Sequence, residues 1–461
     1  MKWPQYPKYK PSGVEWLGEV PEHWEVKRSD TLVTTAKRQV TPDSFVDMEV
    51  MHYSIPVVQE IGTGAVENGE DIASAKQVID GPVVLVSRLN PRKATICRAA
   101  PHEELLTLAS TEFVALKPTA GDIRYLQYLV SSELFRQRLD SWAQSVTRSH
   151  QRARPEEIYR FWSAWPGTAE QRAIADFLDR ETAKIDTLVA KKRTLIERLK
   201  EKRTALISRT VTRGLPPDAA RAAGLDPHPK LKPSGIDWLG DVPEHWAVRR
   251  IASESTKITN GFVGPTRDIL VDDGVRYLQS LHIKNNQIVF ARPYFVEEEW
   301  SAEHSKSVLK VDDVLIVQTG DIGQVAVVPE EFAGANCHAL IIVSPRRDRL
   351  SGAFLSLFLN SSFGFDELKR IQTGALHPHL NCGLVRDVRF PFPPLPEQLA
   401  IVTFLVRAQA EVDAMVTKVE NALDRLQEYR TALITAAVTG KIDVRNQDVR
   451  DGASDAPASL S

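Results

Sequence analysis

The chain has 461 residues, enough for two to four domains at roughly 100–200 residues each. Hydrophobic residues make up 43% and charged residues 26%, which excludes wholesale disorder, while a net charge of -2 leaves nucleic-acid binding only to local patches. No apolar run approaches the roughly 20 residues that cross a bilayer; Cys97, Cys337 and Cys382 form no Cys-x-x-Cys, so a reducing cytoplasm is expected rather than a disulfide scaffold or zinc ribbon.

In chain order, residues 9–28 read YKPSGVEWLGEVPEHWEVKR, an opening segment rich in Trp and Pro. Residues 83–88 (VVLVSR) form an apolar strand-like run that enters a polar turn. Residues 125–135 (YLQYLVSSELF) read as helix, with apolar positions three and four apart. Across 168–215, Ile174, Leu178, Ile185, Leu188, Leu195, Leu199 and Leu206 hold one helical phase, interrupted by Glu181, Lys192, Lys202 and Arg209. Pro and Gly between Gly214 and Pro229 end that helix and make a linker.

The chain then begins again. Residues 231–250, LKPSGIDWLGDVPEHWAVRR, match 9–28 at 14 of 20 positions. Residues 314–319 (VLIVQT) answer 83–88, and 354–364 (FLSLFLNSSFG) answer 125–135. Glu170-Gln171 through Ile207 matches Glu397-Gln398 through Ile434. A unit of about 225 residues is therefore duplicated in tandem. The second long helix, 396–443, has the cleaner seam: Ile401, Leu405, Ala408, Val412, Met415, Val419, Ala422, Leu426, Tyr429, Leu433 and Ala436 step by four and three. Such a pattern packs one helix along another. At 1.5 Å per residue, some 38 residues would make a rod about 57 Å long holding two globular units at a set distance. The helices differ in charge, with 12 Lys/Arg and 7 Asp/Glu in 168–215 against 5 and 7 in 396–443, as complementary solvated faces would.

The expected divisions are a mixed α/β domain at 1–167, a helix at 168–215, a linker at 216–230, a second domain at 231–395, a helix at 396–443 and a frayed tail at 444–461. No catalytic constellation stands out. There is no Walker loop, Gly-x-Ser-x-Gly elbow or His-Glu-x-x-His. Gly320-Asp321-Ile322-Gly323 reads as a tight turn, and Glu25-Val26-Lys27 and Glu367-Leu368-Lys369 read as surface charge rather than half a nuclease site. His377-Pro378-His379 with Cys382 has zinc-type ligands, but the first copy has Arg148-Ser149-His150 with Ala153, so no metal is expected.

Two similar domains on a rigid spacer can engage two sites on one extended ligand, and duplex DNA is the familiar case. The diverged copies imply two unlike half-sites. Readout needs polar and basic side chains on loops. One candidate pair of loops carries Arg88, Asn90, Arg92 and Lys93 in the first copy and Gln318, Thr319, Asp321 and Gln324 in the second, with Ser87 aligned to Gln318. The other carries Thr147, Arg148, His150, Gln151 and Arg152, against His377, His379 and Asn381, with Arg152 aligned to Asn381. Any one of these residues alone reads as solvated loop; as sets their basic and amide content favours binding. Trp16/Trp24 and Trp238/Trp246 read as packing of the opening segment rather than base stacking. The competing reading is a structural adaptor whose two domains bind proteins and never DNA, separable by the steep salt dependence of duplex binding.

Lys-Pro-Ser-Gly-x-x-Trp-Leu-Gly-x-Val-Pro-x-His-Trp at 10–24 and 232–246 resembles the opening motif of type I restriction-modification specificity subunits. Pro394-Leu395-Pro396-Glu397-Gln398-Leu399-Ala400-Ile401 resembles that family's signature at the start of its spacer helix, and 165–174 is a degenerate form. Arg-Thr-Ala-Leu-Ile followed by Val-Thr, at 203–212 and 430–439, is similar to the family's helix end. The second copy also keeps a family-like loop from Thr373-Gly374 to His379-Leu380-Asn381, from which Gln144-Ser145 to Gln151-Arg152 departs. The resemblance implies an α+β chain: two tandem target recognition domains separated by two long helices in an antiparallel coiled coil, with a pseudo-two-fold internal repeat. The periodicity expects Leu178, Ile185, Leu188, Leu199 and Leu206 to lie with Leu405, Val412, Val419, Leu426 and Leu433 in the seam of that helix pair. The resemblance also implies a non-catalytic subunit reading a bipartite, asymmetric DNA target. Two methyltransferase subunits using S-adenosylmethionine, and restriction subunits using ATP and Mg, would be partners, with no cofactor held by this chain.

Overall fold

Val83–Ser87 is buried along its whole length, because its alternating side chains serve two cores at once. Val84 and Val86 face Tyr125, Leu126, Leu129 and Val130 of the helix Ile123–Ser131, while Val83 and Leu85 face Cys97, Ala99, Ala109 and Phe113. Val314–Val317 repeats the device, with Val314 and Ile316 toward Phe354, Leu355 and Phe358, and Leu315 and Val317 toward Leu309, Ala326 and Leu340. These strands explain why the sequence reads there as unbroken apolar runs rather than alternation.

The computed structural model describes all residues except 1–2, 36–37, 91–92, 142–143, 146–150, 285, 375–377 and 446–461. The chain divides into two compact units, one of residues 1–192 with 421–461 and one of residues 193–420. In the first, an antiparallel sheet runs Ile96–Ala99, Val83–Ser87, Phe113–Pro118, Val33–Thr35. A five-stranded sheet runs Gln39–Val40, Lys76–Val78, Leu106–Ser110, Glu49–Tyr53, Ala65–Asn68, with the Leu106–Ser110 and Glu49–Tyr53 pair parallel. In the second unit, Val325–Val327, Val314–Val317, Leu340–Pro345 and Ser255–Asn260 form a sheet in the equivalent order. Its other main sheet orders Leu270–Val271, Phe295–Val296, Val275–Leu278 and Asn336–Cys337, again with one parallel pair. The duplication read from the sequence is thus a duplication of topology in the first pair of sheets, whereas the second pair shares a parallel strand pair and differs in its outer strands.

Each long helix, Thr168–Arg213 and Leu395–Val438, contributes to both units. Within the first unit, the early turns of one (Ile174, Leu178, Ile185) share a core with the late turns of the other (Leu433, Ile434, Ala437, Val438). In the second unit, Ile207 and Val211 share a core with Ile401 and Leu405. Early turns meeting late turns in both places make the pair antiparallel. Arg430 holds Asp186 through two nitrogens at 3.0 and 3.3 Å, and Arg203 Nη1 holds Asp413 at 3.0 Å. These half-exposed pairs are worth about 0–1 kcal/mol each, whereas burying one Leu or Ile contributes about 1.5–3 kcal/mol.

The seam departs from the sequence reading at alternate positions. Leu178, Ile185, Leu405 and Leu433 are buried, and Leu199, Leu206, Val412, Val419 and Leu426 are half-buried. Leu188, assigned to the seam, is instead 42% exposed, and Leu195, Met415 and Tyr429 are also exposed. One residue further along, Val189, Val416 and Leu423 are half-buried and Ile196 is buried. Both phases alternate by three and four, so periodicity alone does not choose between them. The observed phase is the one that puts Arg203 and Arg430 at the seam, each against an Asp of the other helix.

The repeated Glu-Gln pairs lock the starts of the long helices to the opening segments. Glu170 accepts hydrogen bonds from Tyr6 Oη at 2.8 Å and Trp24 Nε1 at 3.1 Å, and its other oxygen meets His23 Nε2 at 2.8 Å. Burial, together with the Glu170 carboxylate, pushes the Tyr6 phenol far above its ordinary range. Glu397 meets His245 Nε2 at 2.9 Å. Gln171 accepts from Asp122 N and donates to Pro166 O, and Gln398 accepts from Ser351 N and donates to Pro393 O. Asp122 and Ser351 are the N-caps of equivalent helices, so each Glu-Gln pair joins three segments of its domain. Trp24 and Trp246 are fully buried, as the packing reading of these tryptophans requires. Gly440, at φ 72°, closes the second long helix against Pro21 and Trp24, where a Cβ would lie 2.4 Å from the proline ring.

Candidate nucleic-acid interface

In the first unit, the end of the buried central strand delivers Arg88 into a loop that returns past the segment 151–153. Asn90 N donates to Gln151 O and Ala153 N donates to Arg88 O, each at 2.9 Å, and Leu89 bridges Arg152. Two loops assigned separately from the sequence therefore become one surface. Asn90 takes a left-handed conformation at φ 48°, which Asn tolerates better than most residues. Arg88 and Asn90 are half-buried, Lys93 and Arg152 exposed and Gln151 half-buried. Arg92, Thr147, Arg148 and His150 lie outside the described residues.

Sequence reasoning missed the residue that joins this surface. Glu112 follows the strand Leu106–Ser110, and its carboxylate accepts from Arg88 Nε at 3.0 Å, Arg152 Nε at 3.2 Å and Arg152 Nη2 at 3.1 Å. Partial burial opposes the charge, but the bonds and charges of Arg88 and Arg152 outweigh it and hold the carboxyl below its usual range. A lone acidic residue in a turn carries no signal of such a role.

In the second unit, Gln318 leaves the equivalent strand. Phe113 pairs with Ser87, and Leu340 pairs with Val317, so Arg88 corresponds to Gln318 and Glu112 to Ala339. This corrects the sequence alignment by one residue. Leu380 N donates to Gln318 O at 3.0 Å, as Ala153 N does to Arg88 O, so Arg152 corresponds to His379, not to Asn381. Thr319 and Asp321 are exposed on the turn, Gln324 is half-buried at its return, and His379 pairs with Thr373 across the neighbouring loop. Asn381 caps the helix Cys382–Val385, its Oδ1 accepting from Gly383 N at 2.7 Å, so this side chain is occupied by the fold. His377 lies outside the described residues. At the same end of the sheet, Asn260 Oδ1, Gln318 Oε1 and His338 Nδ1 are buried without a hydrogen-bond partner among the described residues. Burial lowers the His338 pKa, which favours the neutral ring. The first surface is thus a cationic fork and the second a set of amides and imidazoles.

Residues 243–424, spanning the second domain and the start of its helix, match the type I restriction modification DNA specificity domain. Residues 243–424 thus match that domain, and the chain is similar to type I specificity subunits over nearly its whole length. The chain is similar to the type I restriction enzyme EcoBI specificity subunit of Escherichia coli, 24% identical over 64% of this chain and 62% of that protein. It is similar over nearly its whole length to the putative type I restriction enzyme MjaX specificity subunit of Methanocaldococcus jannaschii, 22% identical over 93% of this chain and 96% of that one. Among solved structures, a chain from a type I restriction-modification assembly matches the fold with a TM-score of 0.65 at 18% identity, covering 91% of this chain and 98% of that one. The HsdS subunit of Thermoanaerobacter tengcongensis matches with a TM-score of 0.50, also at 18% identity and the same coverage. These likenesses agree on two mixed α/β domains with long helices.

Proposed function

We propose that this chain is a specificity subunit that reads one bipartite, asymmetric duplex sequence, each unit reading one half. The observation that supports it is the equivalence of position with inequality of chemistry: Arg88 and Arg152 stand where the second unit has Gln318 and His379. Arg suits guanine O6 and N7, and Gln suits adenine, so two unlike half-sites follow. The chain itself performs no catalytic step. It docks two methyltransferase subunits, which use S-adenosylmethionine, and in a restricting complex ATP- and Mg-dependent restriction subunits. Support for protein partners comes from the second long helix, where Leu399 and Val406, one heptad apart, are exposed beside a groove of about 610 Å³ lined by Leu215, Ala219, Phe404 and Ala408.

Selection of bound duplexes from a randomised pool tests this. A non-palindromic, split sequence is expected, and Arg152→Ala should relax only the first half while His379→Ala relaxes only the second, by about tenfold each. A heptad inserted in each long helix, adding about 10 Å, should lengthen the preferred gap. A chain with no sequence preference and no salt-dependent affinity would instead be the protein-binding adaptor.

A further inference from the structure

Arg88 and Arg152 come from segments 64 positions apart, and two guanidinium groups brought to one place repel each other unless an anion lies between them. Glu112 supplies that anion from a third segment. We propose that Glu112 is a positioning residue for the first half-site: it holds Arg88 and Arg152 as one fixed fork and restrains both from backbone phosphate. This rests on the DNA reading above and deepens it.

The geometry carries the claim. Arg88 gives Glu112 only its Nε, while Arg152 gives it Nε and Nη2, an in-plane bidentate grip that fixes the plane of that guanidinium. A carboxylate has about four lone-pair positions, and three are filled here. The remaining guanidinium N–H groups are donors suited to guanine. Side-chain exposures of 31% for Arg88 and 49% for Arg152, against 23% for Glu112, leave the two cations reachable and the anion between them. The backbone fixes the same triangle, because Arg88 N donates to Glu112 O at 3.0 Å and Ala153 N to Arg88 O.

Charge sets the second consequence. The trio carries a net charge of one rather than two. Attraction to phosphate, which is the same for every sequence, is weakened, while hydrogen bonding to base edges is kept. A fork with fixed planes also loses less rotamer entropy on binding than two long side chains free to swing. The second unit has Ala339 at the corresponding position and no arginine to restrain there, so the device belongs to one half-site alone.

The test uses the full chain with the subunits it assembles with. Bound duplexes are selected from a randomised pool and sequenced, and a fluorescent duplex of random sequence is titrated over a range of salt. In Glu112→Gln, affinity for the random duplex should rise, its salt slope should steepen by about one, and discrimination at the first half should fall about tenfold with the second half unchanged. A misfolded first unit would lower random-duplex affinity, the opposite sign. Glu112→Asp keeps the charge but shortens the reach, so random-duplex affinity should stay at the wild-type value while first-half discrimination falls. Unchanged discrimination and slope in Glu112→Gln overturn the proposal; should that variant fail to fold, wild-type discrimination in Glu112→Asp does so. A wild-type chain that selects no sequence overturns the DNA reading and this inference with it, whereas wild-type selection that Glu112→Gln leaves intact removes this inference alone.

Discussion

The two candidate surfaces share a scaffold and differ in almost everything they present. Both stand at the end of a strand buried on both faces, and both receive a returning loop through one backbone hydrogen bond, Ala153 N to Arg88 O or Leu380 N to Gln318 O. On that common frame the first unit sets an Arg–Glu–Arg fork, and the second a glutamine, with a histidine at the same end of the sheet whose pKa burial lowers. Strand register fixes where a surface side chain stands, while turn sequence decides which chemistry it presents. Register is held by tens of packed side chains and tolerates little change. Turn chemistry is free to diverge because it touches little of the core.

If the frames are interchangeable, their anchors should matter equally. Trp24→Ala and Trp246→Ala should each destabilise their own unit by about 3–5 kcal/mol, the cost of emptying a fully buried aromatic site. Hydrogen exchange mapped along the chain reads this; losses spread evenly over both units from either variant would break the equivalence. A smaller effect sharpens the contrast at the helix starts. Glu170 serves Tyr6, His23 and Trp24, while Glu397 has His245 as its side-chain partner among the described residues. Glu170→Gln should therefore lose about 2–3 kcal/mol and Glu397→Gln about 1 kcal/mol in chemical denaturation, and equal losses would show that these partners do not set the difference. The smallest effects belong to the helix faces left outside the seam. Leu188→Gln and Met415→Gln should change stability by no more than about 0.5 kcal/mol, as exposed positions do. A loss near 3 kcal/mol from either would restore the phase read from the sequence.

Much of this was legible from residues alone. The duplication, both long helices and the packing role of Trp24 and Trp246 follow from repeated motifs and long-range periodicity, which report burial. The helix phase was less so, because Leu188 and Val189, or Met415 and Val416, are equally apolar neighbours and periodicity does not separate them. Alignment of the reading loops failed by one or two residues for a related reason: turns carry no periodicity, so only the pairing of Phe113 with Ser87 and Leu340 with Val317 shows which residues correspond. Glu112 was invisible, since its meaning comes from two arginines that the chain brings to it from distant segments.

The first unit is finished by the last turns of the second long helix. Leu433, Ile434, Ala437 and Val438 cover Tyr125 and Trp165, and the Tyr125 hydroxyl donates to Val438 O at 3.3 Å. A ribosome adding about 5–20 residues per second reaches those turns roughly 10–50 s after it has made residue 192. Throughout that interval the domain synthesised first carries an open apolar flank, so it must wait for, or be shielded until, the arrival of a segment translated after its own duplicate.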